Sequence, residues 1–126
     1  MMDQLIARFG EQLEEALQIG AAAKISKSRK VINKIYVAGL GGSGIGGDFV
    51  SAIIRKECEV PYLIGKGYDI PKYIDDRTLA IISSYSGNTE ETVSAFKKIE
   101  KTEHYAIAPY LLGRFYLKLD KFVIYF

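Results

Sequence analysis

Lys34-Ile-Tyr-Val-Ala38 runs without interruption into Gly39-Leu-Gly-Gly-Ser-Gly-Ile-Gly-Gly-Asp48, and Phe49, Val50, Ile53 and Ile54 follow at helical spacing. The first of these pieces is short, apolar and partly β-branched or aromatic, which predicts a buried strand feeding a tight turn. Six of the chain's twelve glycines lie between Gly39 and Gly47, so half of its most permissive backbone is concentrated in one loop. Crowding of this kind predicts that some group approaches the main chain closely. At the start of a helix, free backbone N–H groups and the positive end of the dipole favour an anion.

Working outward, Tyr62-Leu63-Ile64 lies between Pro61 and Gly65 and predicts a second strand. Leu79-Ala80-Ile81-Ile82 predicts a third, and it ends in Ser83-Ser-Tyr-Ser-Gly-Asn-Thr89 before Val93, Phe96 and Ile99 mark another helix. Strand, helix, strand, linker, strand, helix is the alternation of an α/β protein with a parallel sheet covered on both faces. Upstream, Leu5, Phe9, Leu13 and Leu17, with Ile6 and Ala16 alongside, form the stripe of an amphipathic helix for which Gly20 is the expected stop. Lys24, Lys27, Arg29 and Lys30 then make a basic cluster. It reads either as a solvated helix end or as an anion site, the first being the simpler account.

Composition bounds what the chain can be. It has 126 residues, 48% of them hydrophobic and 25% charged, with a formal net charge of +2, one Cys and no Trp. That suffices for one core and falls short of two full-sized domains. Cys58 has no partner for a disulfide, and with His104 as the single His a Cys/His zinc site is not expected. The N-terminus lacks the pattern of a signal peptide and no apolar run is long enough to span a bilayer, so a cytoplasmic protein without membrane or nucleic-acid partners is the expectation.

Two loops bear on function. Gly39-x-Gly41-x-x-Gly44 satisfies the dinucleotide fingerprint formally, but that fingerprint also wants an acid at the end of the next strand, and this strand ends in Gly65-Lys66-Gly67. A Walker loop is likewise unsupported, because no Gly of this loop is followed by Lys and then Ser or Thr. The second loop offers Ser84, Ser86 and Thr89, with Gly87 and Asn88 as turn residues. Three hydroxyls and helix N-terminal amides can surround a phosphate without adding compensating charge. Any one of them alone reads as a helix cap, and Asn88 and Glu91 have capping-box spacing. Two such loops at successive strand ends read as a site. In a doubly wound sheet of order 2-1-3 the first and third strands are neighbours, and both loops open into the crevice at their C-terminal ends.

Gly39–Asp48 and Ser83-Ser-Tyr-Ser-Gly-Asn-Thr-Glu-Glu-Thr92, with Gly67-Tyr-Asp-Ile-Pro71 between them, resemble the sugar isomerase (SIS) domain in its bifunctional phosphoglucose/phosphomannose isomerase branch. The resemblance spans roughly Lys34 to Lys101. It implies a three-layer αβα sandwich with a doubly wound, mainly parallel sheet of flavodoxin-like order, preceded by an N-terminal helix. Residues 1–33 would be a helical segment and 34–126 the SIS domain, the first of the family's two, with 104–126 departing from the family pattern. By resemblance, Ser43, Ser84, Ser86 and Thr89 hold the substrate phosphate, and the backbone at Gly41, Gly42 and Gly44 lets the sugar phosphate lie close. No cofactor and no metal are implied.

The implied reaction is aldose to ketose, glucose 6-phosphate or mannose 6-phosphate to fructose 6-phosphate. It needs a base to move a proton between C1 and C2 and an acid to open the ring, in the family a Glu and a His. No Glu follows Glu103, His104 matches no family position and Arg114 carries no assigned role, so the catalytic residues are unassigned and the chain is expected to be inactive alone. From His104 to Phe126 there are seven of the chain's fifteen aromatics, and the chain stops inside Phe122-Val-Ile-Tyr-Phe126. This reads as a buried terminal strand or as a truncated or frame-shifted end. Exposed apolar surface makes a homodimer the expected assembly. The competing readings are a non-catalytic phosphosugar-sensing SIS module and a dinucleotide-binding domain.

Overall fold

The structure, a computed structural model, describes residues 2–22, 31–83, 90–101, 105–111, 114–119 and 122–125. The expected second loop from Ser84 to Thr89, the basic cluster from Lys24 to Lys30 and His104 lie outside the described residues.

The N-terminal segment is α1 (Met2–Ala7) and α2 (Phe9–Ala22). The apolar stripe is helical as its spacing requires, but it is divided at Arg8 between two helices, and Gly20 does not end the second. Glycine within a helix costs only about 1 kcal/mol, and Ala21 and Ala22 behind it are strong helix formers. Among the described residues nothing outside the segment packs on this stripe, so Phe9, Leu13 and Leu17 are exposed.

The sheet follows: β1 (Lys34–Gly39), α3 (Gly42–Ile54), β2 (Tyr62–Gly65), β3 (Thr78–Ser83), α4 (Glu90–Glu100), β4 (Tyr105–Leu111), β5 (Arg114–Leu119) and β6 (Phe122–Tyr125). Strand order is β2-β1-β3-β4-β5-β6. The first four strands are parallel, and β5 and β6 join antiparallel. The order 2-1-3 expected for the first three strands is therefore present. The apolar run near the C-terminus is a strand, β6, and it lies at the sheet's edge.

Two crossovers set the layers. The β1-α3-β2 connection steps one way along the sheet and the β3-α4-β4 connection the other, so right-handed crossovers put α3 and α4 on opposite faces. Side-chain alternation agrees. Tyr36, Ala38, Ala80 and Ile82 point to one face and pack with Ala95 and Ile99 of α4, Ile74 closing the cluster. Val37 and Ile64 point to the other face, toward Gly47 of α3. Burial of Ile82 and Ile99, 2% and 0% exposed, contributes about 1.5–3 kcal/mol each.

The α3 helix meets the sheet through small residues. Gly44 and Gly47 are its buried positions, and a Cβ on Gly47 would stand 3.4 Å from Val37 Cγ1. Because the backbone comes this close, the bulky residues face away: Phe49 is 67% and Ile53 75% exposed. Among the described residues, no helix is long and apolar enough to cross a membrane.

The lower end of the sheet is fastened by polar contacts. Lys34 Nζ donates to Asp75 Oδ2 at 2.9 Å, and the Asp75 amide donates to Thr78 Oγ1 at 3.0 Å, while Thr78 Oγ1 donates back to Asp75 Oδ1. Thr78 is fully buried, so this exchange satisfies its hydroxyl.

Candidate functional site

Parallel pairing fixes what meets at the upper, C-terminal end of the strands. Ala38 pairs with Gly65 and Gly39 pairs with Ser83. The last residues of β1 and β3 therefore lie side by side, one ahead of the glycine turn and the other at the end of the residues described before position 90. This is the crevice expected from the strand order.

The glycine turn is built for a tight entry into α3. Gly41 has φ 55° and ψ −127°, a backbone conformation that L side chains rarely adopt. The Ser43 amide donates to the Leu40 carbonyl at 3.2 Å and the Ile45 amide to the Gly41 carbonyl at 3.1 Å, which closes the first turn. Gly41 and Gly42 are exposed, Ser43 is half-buried, and nothing stands within 4 Å of where a Cβ on either Gly41 or Gly42 would project. Gly44 differs: it is buried, and a Cβ there would meet the Gly39 carbonyl oxygen at 2.8 Å. Ser43, Gly41, Gly42 and Gly44 thus share one helix start, whereas Ser84, Ser86 and Thr89 are outside the described residues.

A narrow crevice beside this turn is lined by Ala38, Gly39, Leu40, Gly65, Gly67, Glu91 and Ala95. The connection after β2 is held against α4 there: the Tyr68 hydroxyl donates to Glu91 Oε1 at 3.0 Å, and Lys98 Nζ donates to the Tyr68 carbonyl at 2.8 Å. The bond to Glu91 raises the Tyr68 phenol above its ordinary pKa, so it remains a neutral donor.

Spacing along the chain does not mark Lys66 as a site residue. Its stem lies over Gly44, with Cγ and Cε 3.4 Å from the place a Cβ would take, and its ammonium donates to Asp48 Oδ2 at 2.6 Å. The available signal was a lone Lys between two glycines at the end of a strand, Gly65-Lys66-Gly67.

No family model matches the chain. The chain is 38% identical over 96 residues to a bifunctional phosphoglucose/phosphomannose isomerase of Caldicellulosiruptor bescii, covering 76% of this chain and 28% of the relative. It is 46% identical over 90 residues to a protein of the same name from Thermoplasma volcanium, covering 70% and 29%. A D-glucosamine-6-phosphate 4-epimerase of Sulfolobus acidocaldarius is 33% identical over 100 residues, covering 79% and 29%. Among solved structures, a Salmonella typhimurium protein assigned as a phosphosugar isomerase superposes with a TM-score of 0.59 at 22% identity, covering 67% of this chain and 27% of that one. The fold is thus the one that this phosphosugar isomerase structure carries over the matched region, an open α/β sheet with helices. Over the matched region the chain is homologous to the bifunctional phosphoglucose/phosphomannose isomerases and corresponds to a portion of them. It spans less than a third of the length of the relatives it matches.

Proposed function

We propose that this chain binds a hexose phosphate by its phosphoryl group, as the phosphosugar-binding portion of an aldose–ketose isomerase that converts glucose 6-phosphate or mannose 6-phosphate to fructose 6-phosphate. The observation that carries this reading is the pairing of Gly39 with Ser83, which starts the glycine turn and the hydroxyl segment side by side. Ser43, Ser84, Ser86 and Thr89 supply neutral donors to the phosphate, and the exposed backbone at Gly41 and Gly42 lets it approach. Gly44 contributes by keeping the turn tight.

The relatives support assigning this portion to the phosphate rather than to the reacting carbons. One kind of relative is named for isomerisation and another for 4-epimerisation, and both names specify phosphorylated sugars or their isomerases. A portion matched by relatives named for such different rearrangements suits the part of the substrate that does not change. Moving a proton between C1 and C2 needs a base, and no residue here is assigned that task. The chain is accordingly a binder that does not turn over substrate alone. We place it in the cytoplasm and as a homodimer, the dimer being supported by the exposed apolar face of α3.

Backbone amide spectra with glucose 6-phosphate, mannose 6-phosphate and fructose 6-phosphate test this. The expected result is a shift of the Ser43 amide and of residues 84–89, with Ser43→Ala weakening binding about fivefold to tenfold. Unchanged spectra at millimolar ligand overturn it.

A further inference from the structure

Asp48 sits one turn beyond Gly44 on α3, where its carboxylate would oppose a bound phosphate. Lys66 neutralises it. Two observations define the lysine's position: its stem rests on Gly44, where no side chain competes for the space, and its ammonium is 2.6 Å from Asp48 Oδ2. The stem therefore crosses the first turn of α3, within one residue of Ser43. Both partners remain about half exposed, at 52% and 48%. The flanking Gly65 and Gly67 line the crevice. Two other lysines are committed elsewhere: Lys34 to Asp75 at the far end of the sheet, and Lys98 to Asp69 and the Tyr68 carbonyl.

We propose that Lys66 is a cationic ligand of the phosphate site, held on Asp48 when the site is empty and transferred to the phosphoryl oxygens when a phosphate monoester binds. The inference rests on the proposed function above and adds to it a charged ligand that the hydroxyl set lacks. A half-exposed ion pair is worth about 0–1 kcal/mol, so Asp48 holds the ammonium weakly. A phosphate dianion carries about twice the charge of a carboxylate and offers three acceptor oxygens. The stem need not leave Gly44, because rotation of the terminal bonds alone redirects the ammonium. Neutral hydroxyls and amides then fix position, while one movable cation sets the preference for the dianion.

Calorimetric titration with glucose 6-phosphate, at several salt concentrations, decides the matter using the wild-type chain, Asp48→Asn, Lys66→Met and the double variant. Asp48→Asn releases the lysine and is expected to tighten binding about threefold to tenfold with a steeper salt dependence. Lys66→Met keeps the stem over Gly44 but removes the charge, so binding weakens by a similar factor and its salt dependence flattens. The double variant matches Lys66→Met. A pair that only ties β2 to α3 gives the opposite sign for Asp48→Asn, with both single variants weakening binding and lowering the melting temperature together. That result, or no change in Asp48→Asn, overturns the inference and leaves the proposed function standing. Absence of binding to the wild-type chain overturns both.

Discussion

The Tyr36 hydroxyl occupies the space beside β2 that a side chain at position 65 would need, so Gly65 and Tyr36 are fitted to one another across two parallel strands. Tyr36 is 1% exposed, and its oxygen has no hydrogen-bond partner among the described residues. Burial, with Tyr73 nearby, pushes its phenol pKa upward. Gly65→Ala would drive a methyl group into the ring and is expected to destabilise the chain by about 1–3 kcal/mol in urea unfolding. Tyr36→Phe removes an unsatisfied buried hydroxyl and should leave stability unchanged or raise it by up to about 1 kcal/mol. A loss of more than that on Tyr36→Phe would mean that the hydroxyl has a partner.

Three glycines of the first turn should respond differently to the same methyl group. Gly44→Ala meets the Gly39 carbonyl, which is backbone and yields little, for a cost of about 1–3 kcal/mol. Gly41→Ala is strained by its positive φ, at a cost of order 1–3 kcal/mol, although the space around it is open. Gly42→Ala meets neither obstacle and should retain wild-type stability while reducing hexose phosphate affinity. Thermal melts and titrations on the three variants separate folding roles from binding roles.

Acid should weaken the lower end of the sheet. The hydrogen bond from Lys34, with those from the Arg77 amide and Thr78 hydroxyl, holds Asp75 at about 2, below the usual carboxylate range. A carboxyl with a lowered pKa in the folded state binds protons more readily when unfolded, so its contribution is complete above about pH 4 and is lost as pH falls toward 2. Asp75→Asn should therefore be less stable than wild type at neutral pH, with the two melting temperatures converging between about pH 4 and pH 2. Phosphate binding, at the opposite end of the strands, should not change.

The outer face of α3 offers a test of assembly. Phe49→Ser and Ile53→Ser act on exposed side chains and should alter the intrinsic stability of the fold by no more than about 0.5 kcal/mol. Sedimentation velocity should show the wild-type chain as a dimer and the double variant shifted toward monomer. A wild-type monomer would remove the homodimer from the proposed function.

The strands were legible because their signals are local. Tyr62-Leu63-Ile64 stands between Pro61 and Gly65, and Thr78–Ser83 alternates buried and half-buried positions as a strand with one fully covered face should. The strand order, which sets the ends of β1 and β3 side by side, followed from the alternation of elements and the handedness of crossovers. The inner face of α3 was not legible in the same way. Periodicity draws the eye to Phe49 and Ile53, but the glycines at 44 and 47 let the helix backbone reach the sheet and turn those side chains outward. The stop at Gly20 failed because one glycine is a weak breaker before two alanines. The place of Lys66 is not legible in the sequence, because its partners, Gly44 and Asp48, are brought to it by the crossover and not by spacing along the chain.

The interior place of β1, one strand in from the edge, has a consequence for how the chain is made. Both of its neighbours, β2 and β3, come later in the sequence, and its pairing with β3 joins Gly39 to Ser83. During synthesis at about 5–20 residues per second, β1 emerges with both edges bare and waits on the order of seconds for its final partner. For that interval an apolar strand and the outward stripe of α3 stand exposed together. Slowing translation between the emergence of β1 and that of β3 should lower the soluble yield.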